Sequence, residues 1–184
     1  MGQPIVFLDL ETTGLNPHKQ DGVAAAGIIE IGAVITHHNE LYELSRCGAT
    51  DANLPQFHCD VNPKEVRPGK PRPGGLPGAG TTIPVHIDPG ALKVNGFNYD
   101  RIAKGWPLYR AMSQLQAFIL TYMQGHKIRD KPVLAGWNAQ FDMAFLKAAM
   151  AATGHAYGDL FDYHCLDFWS VARGLQLSGY LPQA

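Results

Sequence analysis

The sequence predicts an α/β protein with a mixed central sheet flanked by helices, and three observations lead to that prediction. A nearly continuous apolar run, Pro4 to Leu10, is too short for a helix and is typical of a strand buried on both faces. Apolar residues recur at spacings of three and four from Leu108 to Tyr122, which is the pattern of an amphipathic helix. A short apolar stretch, Pro132 to Gly136, leads into a second helical pattern. Strands and helices in this order pack as layers around one sheet.

The other elements follow from the same patterns. Gly27 to Ile35 is a second β-rich run, and Leu41 to Leu44 alternates as expected of a third strand. Three strands so close together predict a meander at the start of the fold. The helical pattern from Ala139 to Ala152 precedes a further predicted strand at Tyr163 to Phe168 and a helix at Trp169 to Leu177.

The chain is large enough for one full hydrophobic core. It has 184 residues, of which 46% are hydrophobic. We expect a single domain over residues 1–184, with a long irregular insertion at about residues 61–90. Seven prolines and six glycines occupy the thirty residues of that insertion, a composition typical of irregular structure.

Charge and cysteine content exclude several classes of protein. Fifteen Lys and Arg against sixteen Asp and Glu leave a formal net charge of -1, so any contact with a polyanion must be local. Three cysteines without CxxC spacing argue against a disulfide framework or a zinc ribbon. Because no apolar segment is long enough to span a bilayer and no signal-peptide pattern opens the chain, we expect a cytoplasmic protein without membrane contacts.

The insertion carries a local excess of positive charge. Between residues 64 and 72, four basic side chains outnumber one acidic side chain, Glu65, and they are placed to contact a phosphate backbone unless the segment is simply a solvated loop. The four are Lys64, Arg67, Lys70 and Arg72.

Asp9 and Glu11 stand two residues apart on the first predicted strand, so their carboxylates project from the same face of the sheet. Two carboxylates at about 4 Å repel each other by about 1 kcal/mol in water and by about 4 kcal/mol at an effective dielectric of 20. A strand of apolar residues tolerates this repulsion poorly unless a cation lies there, and oxygen ligands without His or Cys favour Mg²⁺ or Mn²⁺. The alternative is that the strand ends at Leu10 and that Glu11 points into water.

Phe7 to Leu15 reads FLDLETTGL, and Leu134 to Leu146 reads LAGWNAQFDMAFL. These two stretches resemble motifs of the DEDD (DnaQ-like) 3′-5′ exonucleases, the proofreading-type family with a ribonuclease H-like fold, and the first of them is similar to the first exonuclease motif. Leu134 to Leu146 (LAGWNAQFDMAFL) resembles the second motif, a strand followed by a helix that carries a third carboxylate, Asp142. Ala91 to Phe97 and Asp162 to Gly174 resemble the stretches between and after these motifs, so the resemblance covers most of the chain.

This resemblance implies a metal-dependent hydrolase that releases nucleoside 5′-monophosphates from single-stranded or frayed 3′ ends of DNA. Asp9, Glu11 and Asp142 are then the catalytic ligands of two Mg²⁺ or Mn²⁺ ions about 3.5–4 Å apart, one generating hydroxide and the other stabilising the leaving 3′ oxygen. For Phe141, packing at the start of the helix is an equal alternative to substrate contact. The residues expected to contact the terminal nucleotide are Leu10, Thr12, Thr13, Gly14, Leu15, Asn95, Asn138 and Phe141.

The sequence also departs from the family pattern. The fourth carboxylate of the family is an Asp that follows a His or a Tyr on a later helix, and we expect the chain to lack this third motif. Tyr163 and Asp167 have the Tyr spacing, but their segment better resembles an intermediate strand, so Asp167 is only a secondary candidate for the fourth ligand. Two smaller departures are Trp137, where the family often has His, and Asn95, where some members have His.

Two alternatives to an active DNA exonuclease follow from these departures. A catalytically incomplete module of the same fold would bind nucleic acid or serve a structural role. An exonuclease that trims RNA would carry the same motifs, because the metal ions act on the phosphate and not on the sugar. The sequence identifies no partner protein, neither a polymerase nor a second copy of the chain.

Overall fold

The computed structural model describes residues 3–19, 24–37, 54–69, 78–125 and 130–182, which form eight strands and six helices. The strands are β1 (Pro4–Thr12), β2 (Ile28–His37), β3 (Gln56–Asn62), β4 (Glu65–Gly69), β5 (Gly78–Thr82), β6 (Trp106–Pro107), β7 (Val133–Gly136) and β8 (Cys165–Asp167). The helices are α1 (Pro89–Asn95), α2 (Tyr99–Lys104), α3 (Leu108–Tyr122), α4 (Ala139–Ala152), α5 (Tyr157–Leu160) and α6 (Phe168–Leu177).

Six strands form one mixed sheet in the order β6-β3-β2-β1-β7-β8. Strands β1, β2 and β3 are antiparallel neighbours, while β7 runs parallel to β1 and β8 runs parallel to β7. The first three described strands therefore form an antiparallel meander. Its third described strand is β3, and the strand predicted at Leu41 to Leu44 lies outside the described residues. Because β1, β7 and β8 are parallel, their C-terminal ends point toward the same edge of the sheet.

The prediction of a mixed sheet flanked by helices is confirmed. Helices α3 and α4 lie where the apolar spacing predicts them, and they share one core with Leu8 and Leu10 of β1. On the opposite face, Ile29 of β2 packs in a smaller cluster with residues of α1 and α2. Within the described ranges, no helix combines the length and apolar composition that a membrane crossing needs.

Helix α6 contacts the sheet through its first residue. The ring of Phe168 stacks on Phe7 of β1, with centroids 5.7 Å apart and an interplanar angle of 6°. No residue of α6 is buried. The N-terminal end of the helix is therefore attached to the face of the sheet opposite the main core, hereafter the open face.

The Pro- and Gly-rich segment contains more regular structure than its composition predicts. Strands β4 and β5 pair antiparallel, with Arg67 opposite Thr81. Lys64 is exposed at the turn before β4, whereas Lys70 and Arg72 lie outside the described residues. The expectation that these basic residues contact phosphate stays a prediction.

The turn from β7 to α4 passes very close to β1. Gly136 is the last residue of β7, and a Cβ atom at this position would lie 2.8 Å from the backbone oxygen of Leu8. Real Cβ atoms do not approach a carbonyl oxygen so closely, so this packing requires a glycine. The close approach places the start of α4 beside the C-terminal half of β1.

Replacing Gly136 by Ala is expected to lower the free energy of unfolding by about 1–3 kcal/mol, because the added methyl group must displace the backbone of β1. Unfolding in urea measures this loss. Gly174→Ala is the matched control, since a Cβ atom there meets no atom within 4 Å. We expect that control to gain up to about 1 kcal/mol from the better helix propensity of Ala. Equal stability of the two variants would contradict the close approach.

Candidate active site

Asp9, Glu11 and Asp142, hereafter the acidic triad, come together at the C-terminal half of β1. The strand continues to Thr12, so Asp9 and Glu11 both project from the face opposite the main core. Asp142 lies in the first turn of α4. The backbone N–H of Leu10 donates a hydrogen bond to Asp142 Oδ1 at 3.0 Å and so joins positions 132 residues apart. The Asp142 carboxylate is therefore bound to the peptide that lies between the other two acids.

The acidic triad carries uncompensated negative charge. Burial raises the pKa of Asp142 to about 6; the hydrogen bond from Leu10 opposes this rise, and the charges of Asp9 and Glu11 add to it. The pKa of Glu11 is also raised, first by burial and then by its acidic neighbours. Across the part of the chain that the structure describes, the cations that form ion pairs are Arg101, His58 and His164, and their partners are other carboxylates, namely Glu30, Asp60 and Asp162.

The donor set of the acidic triad fits a divalent cation of the Mg²⁺ or Mn²⁺ kind, which prefers carboxylate oxygens. A bound cation would also relieve the repulsion that raises the pKa values of Asp142 and Glu11. The carboxylate oxygens of the triad do not all lie within 4.8 Å of one another. The one group of three His, Cys, Asp or Glu side chains with ligand atoms within 4.8 Å of one another in the described ranges is a different one, Glu30, His58 and Asp60.

That second cluster lies beside the acidic triad, because the strand register places Glu30 opposite Glu11 and Asp60 opposite Glu30. The Arg101 guanidinium donates to the two oxygens of Asp60 at 2.9 and 2.7 Å and to one oxygen of Glu30 at 3.2 Å. His58 Nε2 lies 2.6 Å from the other oxygen of Glu30. The bond from Arg101 holds the pKa of Asp60 below its usual value. Since the Arg101 guanidinium already binds both carboxylates and offsets part of their charge, the cluster fits a metal ion less well than the acidic triad.

The turn after β1 is held by hydroxyl groups. Thr12 Oγ1 donates to the backbone oxygen of Gly14 at 2.8 Å, and Thr13 Oγ1 donates to the backbone oxygen of His86 at 2.6 Å. Both threonines are buried, whereas the side chain of Leu15 is 85% exposed. The turn thus presents an apolar side chain to solvent on a backbone that its own hydroxyl groups fix.

The other residues predicted to contact the substrate differ in burial and in the contacts of their side chains. The Asn95 side-chain amide donates to the backbone oxygen of Thr12 at 3.1 Å, which ties α1 to the end of β1. Phe141 is half-buried and packs on the core, with its ring 4.9 Å from that of Phe145. Asn138 is exposed and has a φ of 59°, in the left-handed region that Asn tolerates better than most residues.

Asp167 binds the starts of two helices. Its Oδ1 accepts hydrogen bonds from the backbone N–H of Asn138 at 2.9 Å and of Trp169 at 3.2 Å, and its Oδ2 accepts from Ser170 Oγ at 2.6 Å. The bond from Ser170 is the main reason that the pKa of Asp167 lies below its usual value. A capping role thus accounts for this carboxylate, and the cap on Asn138 fixes the start of the helix that carries Asp142.

Sequence reasoning did not identify the cluster around Arg101 or the capping role of Asp167. The cluster depends on which residues face each other across β1, β2 and β3, and the register of strands separated by undefined connections cannot be read from one sequence. The alternation of Glu30 with isoleucines in β2 was the available signal, since it marks a polar residue on the face that also carries Glu11.

Comparison with known proteins identifies the fold. No protein-family model and no curated protein matches the chain. Among solved structures, it is similar to product-bound exonuclease I, with a TM-score of 0.60 and 15% identity over 95% of this chain and 32% of that chain. The chain has the fold of the matched third of exonuclease I.

Two structures of Escherichia coli exonuclease I show the same likeness. The zinc-bound form of its complex with single-stranded DNA matches with a TM-score of 0.61 and 14% identity over 95% of this chain and 30% of that chain. Its complex with a dT13 oligonucleotide matches with a TM-score of 0.60 and 14% identity over 96% and 30%. This chain thus spans about a third of the length of the exonuclease I chains. At such identities the likeness establishes the ribonuclease H-like fold.

Without divalent metal, the contribution of Asp142 to the stability of the fold should decrease as the pH rises from about 4 to 8. The pKa of Asp142 is about 6 in the folded protein against an ordinary value of 3.8, so the folded state binds this proton more tightly than the unfolded state. The resulting stabilisation is complete below the unfolded value and is lost as the pH rises through the folded one. We expect a loss of up to about 3 kcal/mol.

Asp142→Asn is the matched variant, because the amide oxygen still accepts from Leu10 and carries no charge. Urea unfolding in EDTA at several pH values measures both proteins. The variant should lack this component and be the more stable protein at pH 8. Identical pH dependence of the two unfolding free energies would show that Asp142 does not titrate as described.

Asp167→Asn should leave the fold intact, since Asn is as good an N-cap as Asp and its amide nitrogen can donate to Ser170 Oγ. Asp167→Ala should cost about 1 kcal/mol in urea unfolding. The stabilisation on adding Mn²⁺ should be the same in Asp167→Asn as in the original chain and smaller in Asp9→Asn. If Asp167→Asn loses the Mn²⁺ effect as Asp9→Asn does, Asp167 is a metal ligand and not only a cap.

Proposed function

We propose that this chain is a metal-dependent 3′-5′ exonuclease that releases nucleoside 5′-monophosphates from single-stranded or frayed DNA ends. The observation that carries the proposal is the acidic triad, in which Asp142 of α4 is hydrogen-bonded to the peptide between Asp9 and Glu11. The triad lies at the C-terminal half of the central strand β1, in a fold similar to the matched third of exonuclease I. The similar exonuclease I structures include complexes with single-stranded DNA and a zinc-bound form. They support a nucleic-acid substrate and a divalent cation here.

The acidic triad would hold two Mg²⁺ or Mn²⁺ ions, which when bound activate the attacking water and stabilise the leaving 3′ oxygen. The protein contributes position and charge. The Leu10 N–H occupies Asp142 Oδ1, which orients the carboxylate and leaves Oδ2 for ligation. Asp142 is buried, so the attraction between its carboxylate and a cation is stronger than it would be in water.

The residues around the triad would position the end of the strand. The turn that presents Leu15 lies directly after β1, and its exposed apolar side chain can pack on the base or sugar of the terminal nucleotide. Asn95 holds this turn from α1 through Thr12. Asn138 and Phe141 flank the third acid at the start of α4, where Phe141 packs on the core and supports the helix.

A second candidate function, a catalytically incomplete module that binds nucleic acid, is favoured by one observation. The carboxylate of Asp167, the secondary candidate for a fourth ligand, is occupied by donors at the starts of α4 and α6. A site with three carboxylates would bind metal more weakly and would lack a group to deprotonate water. The two functions differ in whether the bound strand is cut.

Incubation of 5′-labelled single-stranded DNA with Mn²⁺ or Mg²⁺ should shorten the strand from its 3′ end and release mononucleotides. Asp9→Asn and Asp142→Asn should each lower the rate at least about 100-fold, and a chelator should abolish the reaction, because each change removes a ligand or the metal itself. Asp159→Asn, which changes an exposed acid of α5, is the control and should keep the full rate.

Other outcomes distinguish the alternatives. Metal-dependent binding of the strand without any product in the original chain would support the incomplete module and contradict the enzyme. The same assay on a matched RNA strand tests the sugar preference, and degradation of RNA alone would identify an RNA-trimming exonuclease.

A further inference from the structure

A groove of about 500 Å³ lies on the open face of the sheet beside Asp9. This volume is within the range of small-ligand sites, about 300–1,000 Å³. Phe7 and Gly32 form part of its floor on β1 and β2, and Trp137 and Phe168 line it from the β7–α4 turn and from α6. The groove therefore opens directly onto one member of the acidic triad and is otherwise bordered largely by apolar and aromatic residues.

Trp137 presents a large aromatic surface to solvent on a rigid support. Its side chain is 64% exposed. The residue before it, Gly136, packs on the backbone of Leu8, and the backbone N–H of the residue after it, Asn138, is bound to Asp167. A side chain on a turn that is fixed on both sides loses little backbone entropy when a ligand binds, which is the advantage of a preorganised contact.

Gly32 keeps the floor of the groove clear. It is the register partner of Asp9 on β2, and His58 is its partner on β3, so no side chain stands between Asp9 and His58 across the sheet. A Cβ atom at Gly32 would meet only the backbone oxygen of Asp9, at 3.8 Å, and the residue has no left-handed φ. The backbone therefore does not require glycine here. Glycine inside a strand weakens it and often marks a place where a ligand approaches closely.

We propose that Trp137 stacks on a nucleobase of the single strand whose 3′ end lies at the acidic triad, and that Gly32 leaves the floor of the groove free for that nucleotide. The inference rests on the proposed function and specifies its substrate as an unpaired strand of any base sequence. Every base has a π-face, so stacking on an aromatic ring tolerates all four bases. A base inside a duplex is covered by its neighbours and is not free to stack on Trp137.

Binding of a 5′-labelled single strand in EDTA, measured by fluorescence anisotropy, tests the stacking without cleavage. Trp137→Ala should weaken binding at least about 5-fold, since one stacked base contributes about 5- to 100-fold in affinity. Trp169→Ala is the matched control, because Trp169 is also exposed, at 52%, but does not line the groove. Equal affinity of the two variants would overturn the role of Trp137.

A double-mutant cycle identifies the base that Trp137 contacts. Single abasic positions are placed in turn at each of the last nucleotides of the strand. At one position, removal of the base should weaken binding to the original chain and have no further effect on Trp137→Ala. Additive effects at every position would contradict stacking.

Gly32→Val fills the floor with a residue that strands favour. Its free energy of unfolding should be no lower than that of the original chain, and its affinity for the strand should fall at least about 10-fold. Unchanged affinity in a folded Gly32→Val protein would show that the groove is not used.

These outcomes are separable from the proposed function. If the original chain neither binds nor cuts single-stranded DNA, the exonuclease proposal fails. If it does both while Trp137→Ala and Gly32→Val match the Trp169→Ala control, the stacking inference fails and the exonuclease proposal stands.

Discussion

The hydrogen bond from the Leu10 backbone to Asp142 is the constraint on which the site depends. An unpaired carboxylate is costly to bury, and this bond is what makes the buried position of Asp142 acceptable. Three separate features hold the two partners at bonding distance: the glycine contact between Gly136 and β1, the left-handed backbone of Asn138 and the cap supplied by Asp167. The fold thus uses backbone geometry to bring a helical acid to a strand that carries two more.

The two acidic clusters on the open face differ in whether a cationic side chain balances the charge of their carboxylates. Glu30 and Asp60 both bind Arg101, which offsets one of their two negative charges within the protein. Asp9, Glu11 and Asp142 repel one another, and this repulsion costs stability at neutral pH. Natural proteins keep such unfavourable arrangements where function requires them. The acidic triad, whose charge has no cationic partner among the described residues, is therefore the better of the two clusters for binding a cation.

The sequence predicted the elements well where periodicity was strong, as in α3 and α4, and where an apolar run was continuous, as in β1. It also placed Asp9 and Glu11 on one face, because alternation along a strand is a local property. The meeting of Asp142 with β1 was accessible only through a motif resemblance, since no local rule connects positions 132 residues apart. The β4–β5 pairing was hidden by a Pro- and Gly-rich composition, and the Arg101 cluster depends on strand register and on how α2 packs against the sheet.

Helix α6 is fixed at one end only. Phe168 stacks on Phe7, and Asp167 with Ser170 caps the first turn, whereas the later turns bury no side chain. Because the later turns bury no side chain, that part of the helix can open locally at small cost while its first turn stays attached to the sheet.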